Sequence, residues 1–147
     1  MTEPLTKDRQ TWMSVLAKAA PGRLAQLLPA LPDHRFLRAP EVGAVMVRGR
    51  IGGTGEAFNL GEMTVTRASV QLSTGPVGHA WVQGRDKAHA TRAAIVDALM
   101  QTDAAPETGA AIVDVLAKEA AVATATRATR AATTKVDFFT LVRGEDK

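Results

Sequence analysis

Apolar side chains recur at helical spacing near the amino end of this 147-residue chain. Trp12, Val15, Leu16 and Ala19 fall on one stripe, which predicts a helix from about Thr6 to Ala20. Thr6 suits its cap, and Asp8 favours the positive end of its dipole. Pro21 and Gly22 stop it. Pro21 then opens a second, shorter helix in which Leu24, Leu27, Leu28 and Leu31 repeat the spacing, closed by Pro29 and Pro32. Both stripes read as core or interface packing rather than as a cofactor box.

From Phe36 the period drops to two. Phe36-Leu37-Arg38 reads as a short strand before Pro40, and in Val42 to Gly52 the residues Val45, Val47 and Ile51 alternate with Met46, Arg48 and Arg50. A glycine-rich stretch from Gly52 to Gly61 follows as a connection. A further strand, Glu62 to Leu72, is rich in Thr and Val, and its apolar residues switch parity between Val65 and Ala68, which predicts a bulge near Arg67. Ser73-Thr74-Gly75-Pro76 is a turn, and Val77 to Gln83 forms the next strand. Connections this short imply antiparallel neighbours.

Helical spacing returns after Asp86, a good cap, and runs to about Gln101, with Ala88, Arg92, Ile95 and Leu99 on one side and mostly alanine on another. A long alanine-rich helix follows from about Pro106 to Arg130. Its stretch Ala120 to Thr126 carries no charge, a bland face that points to burial against a partner. Val136 to Arg143, with Phe138, Phe139, Leu141 and Val142, predicts a closing strand that is apolar on both faces. The expected fold class is α+β: an antiparallel sheet with helices packed against it, in one domain and in the order αα-βββ-αα-β.

Composition narrows the chemistry. With no cysteine, disulfides, thiolate metal sites and cysteine nucleophiles are excluded, and the three histidines, His34, His79 and His89, lack metal-ligand spacing. Only 4% of residues are aromatic and none is tyrosine, a poor basis for stacking single-stranded nucleic acid. A net charge of +3 favours an anionic ligand but falls short of a nucleic-acid footprint. No stretch has the apolar length of a membrane span, and the polar first residues do not resemble a signal peptide, so a cytoplasmic protein is expected.

The strongest candidate for chemistry is Arg48-Gly49-Arg50-Ile51-Gly52-Gly53-Thr54-Gly55. Two residues apart on a strand, Arg48 and Arg50 point to one face about 7 Å from each other. Guanidinium forks bind phosphate oxygens bidentately, and neighbouring glycines let backbone N–H groups approach an anion. A hairpin closing around Glu56 would bring Arg67 near Arg48 and make a three-arginine patch. The competing reading is a turn whose glycines satisfy backbone geometry and whose arginines are solvated. The segment lacks the GK[ST] ending of a P-loop and the dinucleotide GxGxxG pattern. Elsewhere, His79 shares a strand face with Trp81 and reads as a packed, hydrogen-bonded histidine, or as a general acid or base without an adjacent carboxylate. Arg85 stands at a strand-to-helix junction. Asn59 and Glu62 flank Gly61, as an Asx-type turn or a polar ligand contact.

Taken together, the block from Arg48 to Gly55, Phe58-Asn59-Leu60-Gly61-Glu62 and Thr64-Val65-Thr66-Arg67 resembles the PhnG family, a component of the bacterial carbon–phosphorus lyase system. The likeness extends to Arg9-Gln10, Trp12-Met13, Arg38-Ala39-Pro40-Glu41, Gly78-His79-Ala80, Gly84-Arg85-Asp86 and the closing Thr134 to Phe139. It assigns no catalytic residue. It implies a protein that pairs chiefly with PhnI in an assembly whose wider system includes PhnH, PhnJ, PhnK and PhnL. There an alkylphosphonate oxygen displaces adenine from C1′ of MgATP, leaving ribose 1-alkylphosphonate 5-triphosphate. MgATP is then a substrate of the complex, and this chain is expected to bind no cofactor or metal of its own. The residue reading and the resemblance meet at Arg48, Arg50 and Arg67, which either hold the triphosphate or phosphonate or dock on an acidic patch of PhnI. A non-catalytic adaptor and a stand-alone phosphate-binding domain are the alternatives.

Overall fold

The computed structural model describes residues 3–138, with side chains from Lys7 onward. The elements are α1 (Glu3–Lys18), α2 (Pro21–Leu27), β1 (His34–Arg50), β2 (Ala57–Leu72), β3 (Val77–Gln83), α3 (Lys87–Leu99), α4 (Ala105–Thr108) and α5 (Asp114–Thr134). The strands pair antiparallel in the order β1-β2-β3. This is the expected α+β arrangement of a helix pair, three strands and further helices.

The sheet is covered on one side. Along β2 and β3, Ala68, Val70, Leu72, Ala80 and Val82 are buried, while their alternates His79, Trp81 and Gln83 are exposed. That alternation is the signature of a sheet with one face on the core and one in water. The buried face meets α3, which is enclosed almost all round: nine of its residues, from His89 to Ala98, are buried. Its alanines permit a close approach, and Gly78 of β3 completes it, since a Cβ at Gly78 would overlap the backbone carbonyl of Ala94. On the far side of α3, Leu16 of α1, Leu24 of α2, and Ile112, Val113 and Leu116 close the core. At the start of α3 the Asp86 carboxylate accepts the His89 amide at 2.9 Å, the cap the sequence predicts.

Two parts project from this body. β1 and β2 pair from His34↔Leu72 out to Arg50↔Ala57, and most of the outer residues are exposed. α5 leaves the core after Leu116, its one buried residue. It is joined to α4 through a π-helical turn, Gly109–Val113, that buries Ile112 and Val113. The long helix predicted from Pro106 to Arg130 is therefore a composite running from Ala105 to Thr134.

Several sequence expectations are corrected. α1 begins at Glu3, so Thr6 lies inside it and is not its cap. The short strand at Phe36 and the strand from Val42 are one element, because an edge strand tolerates Pro40. β2 begins at Ala57, so the glycine-rich connection shrinks to Ile51–Glu56. β2 pairs with β3 without interruption across Arg67, and the irregularity lies on the facing strand between Arg38 and Glu41. Val136 to Phe138 have no regular structure, and the rest of the predicted closing strand lies outside the described residues.

Candidate functional site

The glycine-rich segment is the tip of the long hairpin. Gly52 and Gly53 have φ of 62° and 86°, a left-handed backbone that a side chain would strain. The Gly55 amide donates to the Ile51 carbonyl at 2.7 Å, and the Ile51 amide donates to the Glu56 carbonyl at 3.1 Å. Arg50 Nη1 donates to the Gly55 carbonyl at 3.1 Å, fastening the turn from the strand side. Turn geometry thus accounts for Gly52, Gly53 and Gly55, with Thr54 exposed between them.

Behind the tip, the hairpin has two distinct faces. Cross-strand partners share a face, so the pairs Arg50↔Ala57, Arg48↔Asn59 and Met46↔Glu62 put Arg48, Arg50, Asn59 and Glu62 on one side. A register shift between Val47 and Arg48 makes room for Leu60 as the extra residue of β2. On the opposite side the Phe58 ring lies 3.6 Å from where a Cβ of Gly49 would stand, so glycine there gives the ring its seat. Ile51, Phe58 and Leu60 are 64%, 40% and 66% exposed, leaving apolar surface on an arm that also carries two exposed arginines. An arm of this composition is built to be covered.

Arg67 is not part of that group. The hairpin closes around Gly53 and Thr54, not around Glu56, so Arg48 faces Asn59, eight residues short of Arg67. Eight residues of strand separate the two arginines by about 27 Å. Arg67 instead faces Glu41 with an ion pair of 3.3 Å and lies over the Trp81 ring, 5.6 Å from its centroid. The three-arginine patch does not form.

His79 occupies the open face beside Arg67 and Trp81. Its Nδ1 lies 2.7 Å from Ser69 Oγ across the β2–β3 pair, a partner that sequence spacing does not reveal. The ring is hydrogen-bonded as expected but exposed, not packed. The packed histidine is His89, 2% exposed, whose Nε2 donates to the Leu16 carbonyl at 2.8 Å while Nδ1 has no partner. Arg85 is exposed where β3 turns into α3; the preceding Gly84 has φ of 92° and is held by bonds to Thr64 and Thr66.

The most connected polar group has no counterpart among the sequence candidates. Asp97 of α3 is fully buried and accepts four hydrogen bonds, from Arg9 Nε (3.1 Å) and Nη2 (2.8 Å), Trp12 Nε1 (2.8 Å) and the His79 amide (2.9 Å). It ties α1, α3 and β3 together and fixes the strand that carries His79. The hydrogen bond to Asp97 and its charge hold the Arg9 guanidinium above its ordinary pKa against partial desolvation. The one sequence signal for this residue is a lone acid inside the apolar run Ala93-Ala94-Ile95-Val96-Asp97-Ala98.

Among the described residues no group of three His, Asp or Glu side chains is placed to hold a metal ion, and no helix is long and apolar enough to cross a membrane. Residues 7–144 match the family described as phosphonate metabolism protein PhnG. The chain is also 48% identical over 142 residues to the α-D-ribose 1-methylphosphonate 5-triphosphate synthase subunit PhnG of Rhizobium meliloti (strain 1021), an alignment covering 95% of this chain and 91% of that protein. A match this extensive includes the hairpin arm, the open sheet face and the Asp97 cluster, and the chain therefore belongs to the PhnG family.

Proposed function

We propose that this chain is the PhnG component of a ribose 1-methylphosphonate 5-triphosphate synthase, acting in the cytoplasm as a dependent member of the carbon–phosphorus lyase core complex. The observation that carries this reading is the near full-length match to a subunit of that synthase. In the reaction, a phosphonate oxygen forms a bond to C1′ of MgATP as the bond from C1′ to adenine breaks. MgATP is the substrate of the assembly, and this chain brings no cofactor of its own. Its principal neighbour is PhnI, with PhnH, PhnJ, PhnK and PhnL in the wider system.

The hairpin arm is the part suited to the site. Displacement by phosphonate instead of water requires two anions to be held together and solvent to be kept out. Arg48 and Arg50 supply two guanidinium groups on one face, next to Asn59, on an arm long enough to reach into a neighbouring protein. Every one of these side chains is exposed in the isolated chain, so any site they serve is closed by another member of the complex. The same openness favours a second reading, in which the arm only docks, Arg48 and Arg50 meet an acidic patch of PhnI, and no atom of this chain meets substrate.

Reconstitution separates them. The complete set of proteins, with and without this chain, is assayed for phosphonate-dependent adenine release and for ribose 5-triphosphate, the product of hydrolysis. Loss of transfer with a rise in hydrolysis supports a role at the site. Identical products without the chain leave only the adaptor role. Arg50→Ala that changes neither assembly nor adenine release counts against both.

A further inference from the structure

A second surface lies between α1 and the projecting part of α5. Ser14, Val15, Lys18 and Ala19 line one wall, Leu116 the inner end, and the α5 residues from Ala120 to Arg130 the other wall, enclosing an open groove of about 1160 Å³. This is larger than a small-molecule pocket, which typically holds about 300–1000 Å³. Its wall on α5 is mostly alanine: Ala120, Ala121, Ala123, Ala125 and Ala128. Small side chains of this kind allow another helix to approach at the short end of the usual interaxial range, about 8 Å. The charges in the groove all have one sign, from Lys18, Arg127 and Arg130, and none of the three pairs with a carboxylate among the described residues.

The helix itself argues that something fills this groove. Beyond Leu116 every residue of α5 from Lys118 onward is exposed, so the projecting turns gain no packing from their own chain. A free helix of about 15 residues is marginal in water, because its stability normally comes from a packed face.

We infer that the α1–α5 groove is the docking surface for one amphipathic helix of another protein of the complex, with small or aliphatic residues on its buried face and Asp or Glu along its edges. The inference rests on the proposed function and specifies the chemistry of the neighbour. The apolar wall supplies the contact area, and the three unpaired cations select an acidic rim and exclude a basic one.

The test uses the complex reconstituted from co-expressed proteins. Arg127→Glu/Arg130→Glu places like charge against the acidic rim and is expected to weaken incorporation of this chain by about tenfold or more in competition with the wild type. Lys118→Glu, on the same helix but outside the groove, is the control and is expected to incorporate normally. A photo-crosslinking residue at Thr124 is expected to join an acidic helical segment of a different protein of the complex. The inference is overturned if wild-type complex forms while the double variant incorporates equally well. It is overturned equally if Thr124 crosslinks to a second copy of this chain or to no partner. A wild-type chain that fails to enter any complex would instead sink the proposed function.

Discussion

The carboxylate of Asp97 accepts the backbone amide of His79 at 2.9 Å, so a buried acid in a helix takes a hydrogen bond from the middle of the neighbouring strand. The same carboxylate is held by Arg9 and Trp12 from the first helix. One side chain therefore joins three elements that are far apart in sequence.

Asp97→Ala leaves the Trp12 indole N–H and the His79 amide without a buried acceptor, while Arg9, partly exposed, can turn to water. The expected cost is about 3 kcal/mol, within the range for breaking a buried charged cluster by removing one partner. Urea unfolding measures it, and a loss below about 1 kcal/mol would contradict this account. Asp97→Asn keeps a carbonyl acceptor and should lose less.

On the basic side of this pair, pH should have little effect. The Arg9 pKa is raised by its partner, so its contribution is fully present below the ordinary arginine value and fades only as pH rises through the higher folded value. No stability transition between about pH 6 and 9 should trace to Arg9. An Arg9→Lys variant whose stability difference from the wild type changed across that interval would contradict this.

Gly78→Ala should be severe although it adds one methyl. Its Cβ would meet the Ala94 carbonyl and the Ala98 amide, both backbone atoms of the buried helix, so relief requires moving α3 off the sheet. Overpacking of this kind typically costs about 1–3 kcal/mol, and here the upper end is expected. Thermal unfolding against Gly61→Ala, where nothing stands within 4 Å, gives the comparison.

At the hairpin tip, Gly52→Ala and Gly53→Ala should each destabilise by about 1 kcal/mol through left-handed backbone strain. Because the tip lies outside the core, the loss should appear as faster amide exchange in the outer strands, with the core amides unchanged.

Arg48 and Arg67 should act independently. At about 27 Å apart, their alanine variants are expected to add within about 0.5 kcal/mol in any assembly or binding measurement. A larger coupling would restore the three-arginine patch that the strand register rules out.

The helix–strand order is legible in the sequence because periodicity reports which faces are buried. The four leucines from Leu24, the alternation around Val45 and the Asp86 cap each express a local preference. Register is a different quantity. Nothing local distinguishes a hairpin closing at Glu56 from one closing at Gly53 and Thr54, and that short slip moves Arg67 from Arg48 to Glu41. Pro40 reads as a strand end because its missing N–H matters in a central strand and not at this edge. Asp97 is hidden from local patterns because its partners lie 18, 85 and 88 residues away.

The π-helical turn at Gly109–Val113 sets the angular phase of everything after it. An α-helix advances about 100° per residue, so deleting one residue here would restore regular winding and rotate the outer helix by roughly that angle. The alanine wall would then look into solvent while the core beneath stayed intact. The aim of the projecting rod is thus encoded in a single surplus residue at its root.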